Sequence, residues 1–214
     1  MNKRSVYLAL ALLLAAAAAA LAQNLKPIPL PKPQAEGGKP LMQALKERKS
    51  ARDFSPEKLP LQVLSSLLWA GFGINRPDGH RTAPSARNVQ DIDIYAATAD
   101  GLYVYDAKAH ALLPVVAEDV RGATGTQPFV REAPLNLIYV SDQAKMKDSS
   151  AEDKLLYAGA HTGFIAQNVY LYCASEGLSV VVRALVDRAA LAKAMKLRPD
   201  QRVTLAQTIG YPKK

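Results

Sequence analysis

Cysteine is almost absent from this sequence, and histidine is scarce. Cys173 is the one cysteine among 214 residues, so neither an internal disulfide nor a multi-cysteine metal site can form. Apolar residues flank Cys173, and we expect its thiol to be buried rather than reactive. The three histidines, His80, His110 and His161, are far apart and have no carboxylate at ligand spacing. The sequence therefore predicts no metal site.

The signatures of several enzyme and binding classes are also missing. There is no G-x-S-x-G nucleophile motif, no Walker loop and no G-x-G-x-x-G dinucleotide motif. The 27 Lys and Arg residues outnumber the 19 Asp and Glu residues. They are scattered and not interleaved with aromatic residues, so no nucleic-acid partner is predicted. The positive charge is compatible with an anionic ligand or a membrane surface.

The first 22 residues have the pattern of a signal peptide. Lys3 and Arg4 precede an almost wholly apolar run from Val6 to Leu21, and an A-x-A site ends at Ala22. The alternative is an uncleaved anchor, because this run is close to membrane-spanning length. We expect an exported protein, periplasmic or secreted, with no stable membrane insertion once the segment is cleaved. Lys3-Arg4 is not a twin-arginine pair, so export in the folded state is not indicated.

Residues 23–39 are predicted to be a linker. Prolines alternate with other residues from Pro27 to Pro33, and a pair of glycines follows. Such a segment favours extended backbone without a core of its own. It would tether the domain or span part of a partner subunit. The remaining residues, 40–214, are long enough for one domain with a substantial core.

The pattern of apolar residues predicts an α+β fold, with helices flanking a mixed or antiparallel sheet. Helices are predicted over 41–49, 60–70, 151–175 and 187–195, with Gly71 available to end the second. Strands are predicted over 91–98, 102–105, 135–140, 178–182 and 203–209. The first two strands form a hairpin around Asp100-Gly101. The third is uniformly apolar, which indicates a central strand buried on both faces.

The loop between the second helix and the first strand reads Arg81-Thr-Ala-Pro-Ser-Ala-Arg-Asn-Val-Gln90. Its Pro-Ser-x-x-Asn-x-Gln pattern resembles the flavin-contacting loop of the nitroreductase family. The Arg-Thr-x-Pro-Ser-Ala part resembles the branch that contains the SagB-type azoline-forming dehydrogenases. The resemblance implies FMN contacts at Pro84, Ser85, Asn88 and Gln90. This chain departs from the SagB-type pattern at Arg87, where glycine is usual, and at Asp91, near which that pattern has a proline.

A second motif follows the first helix. Arg48-Lys-Ser-Ala-Arg52 supplies two cations and a hydroxyl group within five residues, a set suited to a phosphate and to the carbonyl oxygens of a flavin. It is similar to the N-terminal FMN-contacting motif of the same family. In isolation it is also an ordinary basic helix end, which complements the helix dipole.

Three later segments follow the family order. Gln167-Asn168 lies on a long helix similar to the family's central helix, which is largely dimer interface. Arg183 and Ala184 stand where the family places main-chain groups beside the reactive flavin nitrogen; there Arg183 would stabilise an anionic reduced flavin or obstruct the ring. Gly210-Tyr-Pro212 resembles a motif near the family's C-terminus, but the arm that many relatives continue with does not follow.

The segment Gly122-Ala-Thr-Gly-Thr126 admits a further interpretation. It resembles the Gly-Ala-Thr sequence at which exported proteins receive covalently linked FMN through threonine. Covalent attachment would explain how an exported chain keeps its flavin. SagB-type sequences also have small residues before the segment that matches Gln127-x-Phe-Val, so both interpretations stay open.

The resemblance extends from Arg48 to Pro212 and implies an FMN-dependent oxidoreductase, a homodimer with FMN in a cleft between subunits. Hydride would pass in ping-pong fashion from NAD(P)H or another donor to a small-molecule or peptide acceptor. No side chain in the sequence is identified as a catalytic acid or base. The alternative is an exported, non-catalytic module that keeps the fold and binds flavin or a peptide. A structural periplasmic subunit with a closed flavin pocket is the third possibility.

Overall fold

A seven-stranded antiparallel sheet organises the protein. A computed structural model describes residues 25–214, so the predicted signal peptide lies outside the described residues. The spatial order of the strands is β1-β4-β3-β2-β5-β7-β6, and every neighbouring pair is antiparallel. The strands are β1 (Ile28–Pro29), β2 (Ile92–Thr98), β3 (Gly101–Asp106), β4 (Ala111–Val116), β5 (Leu135–Asp142), β6 (Ser179–Arg183) and β7 (Gln201–Gly210).

The described residues also form five α-helices: α1 (Leu41–Glu47), α2 (Leu61–Phe72), α3 (Phe129–Glu132), α4 (Ala151–Glu176) and α5 (Arg188–Ala194). The predicted α+β class is confirmed. Helices α2 and α4 contribute to one cluster of buried apolar residues, and α5 contributes to a second cluster with other residues of the strands. Successive side chains of each strand point to opposite faces of the sheet, so the strands contribute to both clusters.

Strand β5 is the centre of the sheet. All eight of its residues are buried, and it pairs with β2 on one side and β7 on the other. The prediction of a central, two-sided strand is confirmed, because only a strand covered on both faces can be apolar throughout. The hairpin of β2 and β3 is also confirmed, with Thr98 paired to Gly101.

Helix α4 begins and ends as its sequence predicts. The Ser150 hydroxyl accepts the N–H of Asp153 at 3.0 Å, and Gly177 closes the helix in left-handed conformation with a φ of 71°. The prediction that Gly71 ends α2 is wrong. The helix continues to Phe72, and a Cβ atom at Gly71 would lie 3.1 Å from Val169 of α4. Glycine at this position therefore allows the two helices to approach closely.

The described part of the predicted linker, residues 25–39, is mostly irregular and lies against the domain. Ile28 pairs with Leu112 of β4, and Leu30 is buried. The N–H of Gln34 donates to Ser66 at 3.0 Å. These contacts make the segment a strap across β4 and α2. Among the described residues, no helix is long and apolar enough to span a membrane.

Candidate functional site

The loop that carries the predicted flavin contacts is held by its own polar groups. The Ser85 hydroxyl accepts the N–H of Gln90 at 3.0 Å. The Gln90 side chain accepts from Arg81 and donates to the Gly79 carbonyl and to the Asn88 side chain at 2.7, 3.0 and 2.9 Å. Gln90 thus braces the loop from within. Pro84 and Asn88 are exposed and Ser85 is half-buried, so these three residues form the outer surface of the loop.

The backbone of this loop is unusual for residues with side chains. Arg87, Asn88 and Gln90 have φ angles of 51°, 53° and 47°, in the left-handed region that glycine and asparagine adopt most readily. At Arg87 this is a conformation that glycine would adopt without strain. Its exposed guanidinium extends toward Ser149, 3.5 Å away.

A buried pair of residues unites this loop with α4 and the sheet. His161 on α4 is 2 % exposed and Asp91, the residue before β2, is fully buried. His161 Nδ1 lies 2.5 Å from Asp91 Oδ1, and Ser141 of β5 donates to Asp91 Oδ2 at 2.8 Å. On the other side of the ring, His161 Nε2 accepts the N–H of Ala86 at 2.8 Å. Spacing in the sequence could not reveal this pair, because its members are 70 residues apart.

The second predicted motif lies beside β6. Ser50 Oγ is 2.8 Å from Tyr170 Oη, which also accepts the N–H of Val182 at 2.8 Å. The guanidinium of Arg48 stacks on the Tyr170 ring, 5.3 Å from its centre. Arg52 and Ser50 are exposed. Tyr170, which sequence reasoning did not single out, therefore fixes the position of this motif against the edge strand.

The two predicted motifs are separated within one chain. One is attached to α4 through His161 and the other through Tyr170. Nine residues of α-helix correspond to two and a half turns, so these attachment points lie about 13 Å apart along the axis and face roughly opposite directions. The two motifs are therefore attached to α4 on roughly opposite sides of the helix.

The structure places the Arg183 side chain in the interior. Its guanidinium donates to Thr208, Asn136 and the Thr124 carbonyl at 3.0, 3.0 and 2.6 Å. Burial lowers the pKa of Arg183 to about 10, and the group therefore remains a cation near neutral pH. These contacts direct it away from the exposed residue Ala184. Neither expectation for its side chain, stabilising or obstructing a flavin ring, matches this orientation.

The glycine-rich segment before α3 accommodates this buried cation. Thr124 is fully buried, and its hydroxyl donates to the Arg121 carbonyl at 2.8 Å. A Cβ atom at Gly125 would collide with Arg183 Nη1. Covalent flavin attachment at Thr124 requires an exposed hydroxyl, so the structure contradicts that interpretation for this threonine. The small residues are explained by packing around Arg183.

Two clefts on the described surface stand out, and neither is lined by any of the nine predicted contact residues. One of about 560 Å³ lies between α1, the end of α4 and β6; Lys49, Ala51 and Asp53 line it, while their neighbours in the Arg48–Arg52 motif do not. The other, of about 800 Å³, lies near the β2–β3 turn and the start of α2. Its lining includes Phe54, two residues after Arg52. Of the predicted residues, Arg183 is buried and the others are exposed or half-buried.

An apolar surface runs along the exposed side of α4. Leu156 and Phe164, about two turns apart on one side of the helix, are 64 % and 47 % exposed, and Leu155 is 50 % exposed on a different side. Between them, Gly159 and Gly163 have open space where a Cβ atom would stand. Exposed apolar surface of this kind is typical of an interaction site. Cys173, by contrast, is buried as predicted, and no cluster of His, Cys, Asp and Glu among the described residues could hold a metal.

Comparison with known proteins agrees with the order of motifs. The family model described as "Nitroreductase family" matches residues 45–211. A predicted nitroreductase of Methanocaldococcus jannaschii is 30% identical over 151 residues, which are 66% of this chain and 76% of that protein. The crystal structure of a predicted nitroreductase from Ralstonia eutropha superposes with a TM-score of 0.85 and 43% identity, covering 89% of this chain and 91% of the other.

A more distant structure includes a ligand. A predicted nitroreductase from Desulfovibrio desulfuricans, in complex with FMN, has a TM-score of 0.60 and 22% identity and covers 83% of this chain and 89% of that chain. At this level of identity the similarity concerns the fold.

Proposed function

This chain belongs to the nitroreductase family, and on that premise we propose that it is an FMN-dependent oxidoreductase that works as a homodimer. The observation that carries the proposal is the separation of the two motifs on α4. The Arg48–Arg52 motif and the loop at residues 84–90 are attached to α4 nine residues apart, through Tyr170 and His161. A second copy would bring the loop of one subunit to the motif of the other.

The exposed side of α4 supports pairing with a second copy. Its apolar surface, formed by Leu156 and Phe164 with Gly159 and Gly163 between them, flanks the His161 attachment point. Small residues allow two helices to approach closely, and a symmetric dimer buries the same surface on both subunits. Dimerisation through α4 would therefore cover the apolar surface and assemble two equivalent sites.

The residues at these two motifs suit FMN. Arg52, exposed and without an ion pair among the described residues, would bind the phosphate, and Arg48 and Ser50 would contact ring oxygens. From the partner, Pro84 would pack on the flavin, while Ser85 and Asn88 would hydrogen-bond the ring edge or the ribityl chain. Main-chain groups at Ala184 would lie near the reactive nitrogen. Gln90 and Arg183 have structural hydrogen bonds and would act indirectly.

Bound FMN would supply the redox chemistry, taking hydride from NAD(P)H or another donor and delivering it to a small-molecule or peptide acceptor. The chain's own residues would orient the ring and exclude water. The Arg81-Thr-x-Pro-Ser-Ala sequence supports placement near the SagB-type branch. The signal-peptide pattern supports function outside the cytoplasm, in the periplasm or as a secreted protein.

Hybrid dimers test this arrangement. Arg48→Ala disables one half of the site and Asn88→Ala the other, so each homodimer should bind FMN weakly. When the two variants are unfolded together and refolded as mixed dimers, one site in each hybrid has both wild-type halves. We expect up to about half of the mixed dimers to be hybrids and to regain one tight site. Each variant refolded alone is the control.

A mixture that binds no more FMN than its parents, while wild type binds it tightly, would place both halves in one chain and contradict the proposal. The double variant Arg48→Ala/Asn88→Ala should fold but retain no FMN. Unchanged FMN affinity in that variant would reject the assignment of both residues.

A non-catalytic binding module is the second candidate. The observation that favours it is the lack of an acid or base among the predicted contact residues. Reduction of bound FMN by NADH or NADPH under anaerobic conditions separates the candidates. Reduction followed by reoxidation with a quinone or nitroaromatic compound supports the enzyme, whereas FMN that binds without turnover with any donor supports the module.

A further inference from the structure

We propose that His161 is the positioning residue of the flavin-contacting loop, and that it works as a neutral imidazole whose proton is fixed on Nδ1. This inference rests on the proposed function for the identity of the ligand, FMN. The contacts that hold the loop are those of the chain itself. His161 receives the N–H of Ala86, in the centre of the loop, at 2.8 Å. Of the hydrogen bonds found among the described residues, the one between Ala86 and His161 connects residues 84–90 to α4.

The partner of Nε2 decides the protonation state. A backbone N–H can only donate, so Nε2 must present its lone pair and carry no proton. The ring proton is then on Nδ1, which faces the Asp91 carboxylate at 2.5 Å. His161 and Asp91 therefore form a hydrogen bond between a neutral imidazole and a carboxylate. A doubly protonated His161 would oppose the Ala86 N–H with another N–H.

The other contacts of His161 and Asp91 make this arrangement rigid. Asp91 is fully buried at the start of β2, and its second oxygen receives the Ser141 hydroxyl of β5 at 2.8 Å. The Tyr157 ring lies parallel to His161, with centres 5.8 Å apart. Ser141 of the sheet thus orients the Asp91 carboxylate, which keeps the proton of His161 on Nδ1. Nε2 is then free to accept the Ala86 N–H of the loop.

The bond to Ala86 lies between the residues proposed to face FMN. Ser85 precedes Ala86, and Asn88 follows two residues later in left-handed backbone. Loss of the acceptor would leave the Ala86 N–H unpaired and release the centre of the loop, whose remaining bonds join it to itself and to residues before α4. Since bound geometry determines affinity, we expect FMN binding to weaken when the acceptor is lost.

Two conservative variants separate the roles of the two ring nitrogens. In His161→Gln, the amide oxygen can take the place of Nε2 and accept from Ala86. In His161→Asn, the shorter amide can take the place of Nδ1 and donate to Asp91 but cannot reach Ala86. We expect the FMN dissociation constant to rise about tenfold or more in His161→Asn and to change less than about threefold in His161→Gln. Equal FMN affinity in the two variants would overturn the proposal.

Nitrogen NMR of the wild-type protein without FMN tests the tautomer directly and does not depend on a variant that folds. We expect a pyrrole-type Nδ1 and a pyridine-type Nε2 for His161, identified by the disappearance of its signals in His161→Gln. A protonated Nε2 would overturn the inference. If the tautomer is as expected but wild type binds no FMN, the proposed function fails and the flavin role of His161 fails with it, while the loop anchor stands.

Discussion

The hydroxyl oxygens of Ser50 and Tyr170 lie 2.8 Å apart. Ser50 is proposed to bind FMN, and this contact attaches it to α4. The same helix supports the loop at residues 84–90 through His161. Tyr170 also receives the N–H of Val182 on the edge strand β6. One phenol therefore links the Arg48–Arg52 motif, α4 and the sheet.

Tyr170→Phe should weaken FMN binding and destabilise the fold. The change leaves the exposed Ser50 hydroxyl and the half-buried Val182 N–H without their partner, and a lost hydrogen bond costs about 0.5–1.5 kcal/mol of unfolding free energy. Denaturant unfolding and FMN titration measure the two effects. Tyr172→Phe is the matched control, since the hydroxyl of Tyr172, on the same helix, contacts Val63 and Ser66 of α2 rather than the motif. Equal effects of both variants on FMN affinity would argue against the role of Tyr170.

Arg183→Met should lower the free energy of unfolding by about 3 kcal/mol, because it removes the donor from Thr124, Asn136 and Thr208 in the interior. Arg76→Met, at an exposed arginine, should change stability by less than about 0.5 kcal/mol. Urea unfolding of both variants gives the comparison. A stable Arg183→Met protein that has lost FMN would instead mean that the guanidinium serves the cofactor directly.

Phe164→Glu should convert the dimer to monomers and abolish FMN retention together. The charge would be placed in the apolar surface of α4, where Phe164 is 47 % exposed and where the partner is proposed to pack. Leu185→Glu is the control, at an apolar residue that is 61 % exposed outside α4. Sedimentation equilibrium reports the oligomeric state. A dimeric Phe164→Glu protein with normal FMN affinity would locate the interface elsewhere.

The strap at residues 25–39 should loosen in acid because of His110. His110 Nε2 lies 2.7 Å from Ser65 Oγ and 3.1 Å from the Pro31 carbonyl, and burial lowers the pKa of His110 below its ordinary value. The unfolded chain therefore binds this proton more readily than the folded protein does. The corresponding stability is present above the unfolded pKa, near 6.5, and is lost as pH falls through the lower folded value.

The measurement is the unfolding free energy of wild type and His110→Gln between pH 7.5 and pH 5. We expect a smaller loss on acidification in the variant, since its residue 110 does not titrate. Hydrogen exchange of the Leu30 amide, which donates to the His110 carbonyl at 3.0 Å, reports the strap itself. Parallel pH curves for the two proteins would contradict this account.

Periodicity was sufficient to predict most of the sheet and the main helices, because burial on one or both faces fixes the apolar pattern. Strand β4 was not predicted. Its Leu112-Leu113-Pro114 sequence argues against a strand, yet Pro114 is accommodated beside a register shift between β3 and β4. The strap was recognised as extended but not as part of the packed domain, since its partners are distant in sequence.

The candidate site was predictable only as separate motifs. Family resemblance identified the positions, but the inward direction of Arg183 depends on Thr124, Asn136 and Thr208, which lie 59, 47 and 25 residues away. The role of His161 likewise depends on Asp91 across the fold. Local sequence patterns identify the types of residue present, but the roles of Arg183 and His161 depend on contacts with residues distant in the sequence.

The most direct test of the central claim is the visible absorption spectrum of the purified mature protein, residues 23–214, after addition of FMN and dialysis. We predict a retained flavin band in a dimeric protein, released by acid precipitation because no covalent bond at Thr124 is expected. A colourless protein that binds no added FMN would contradict the claim that this chain is a flavin-dependent oxidoreductase.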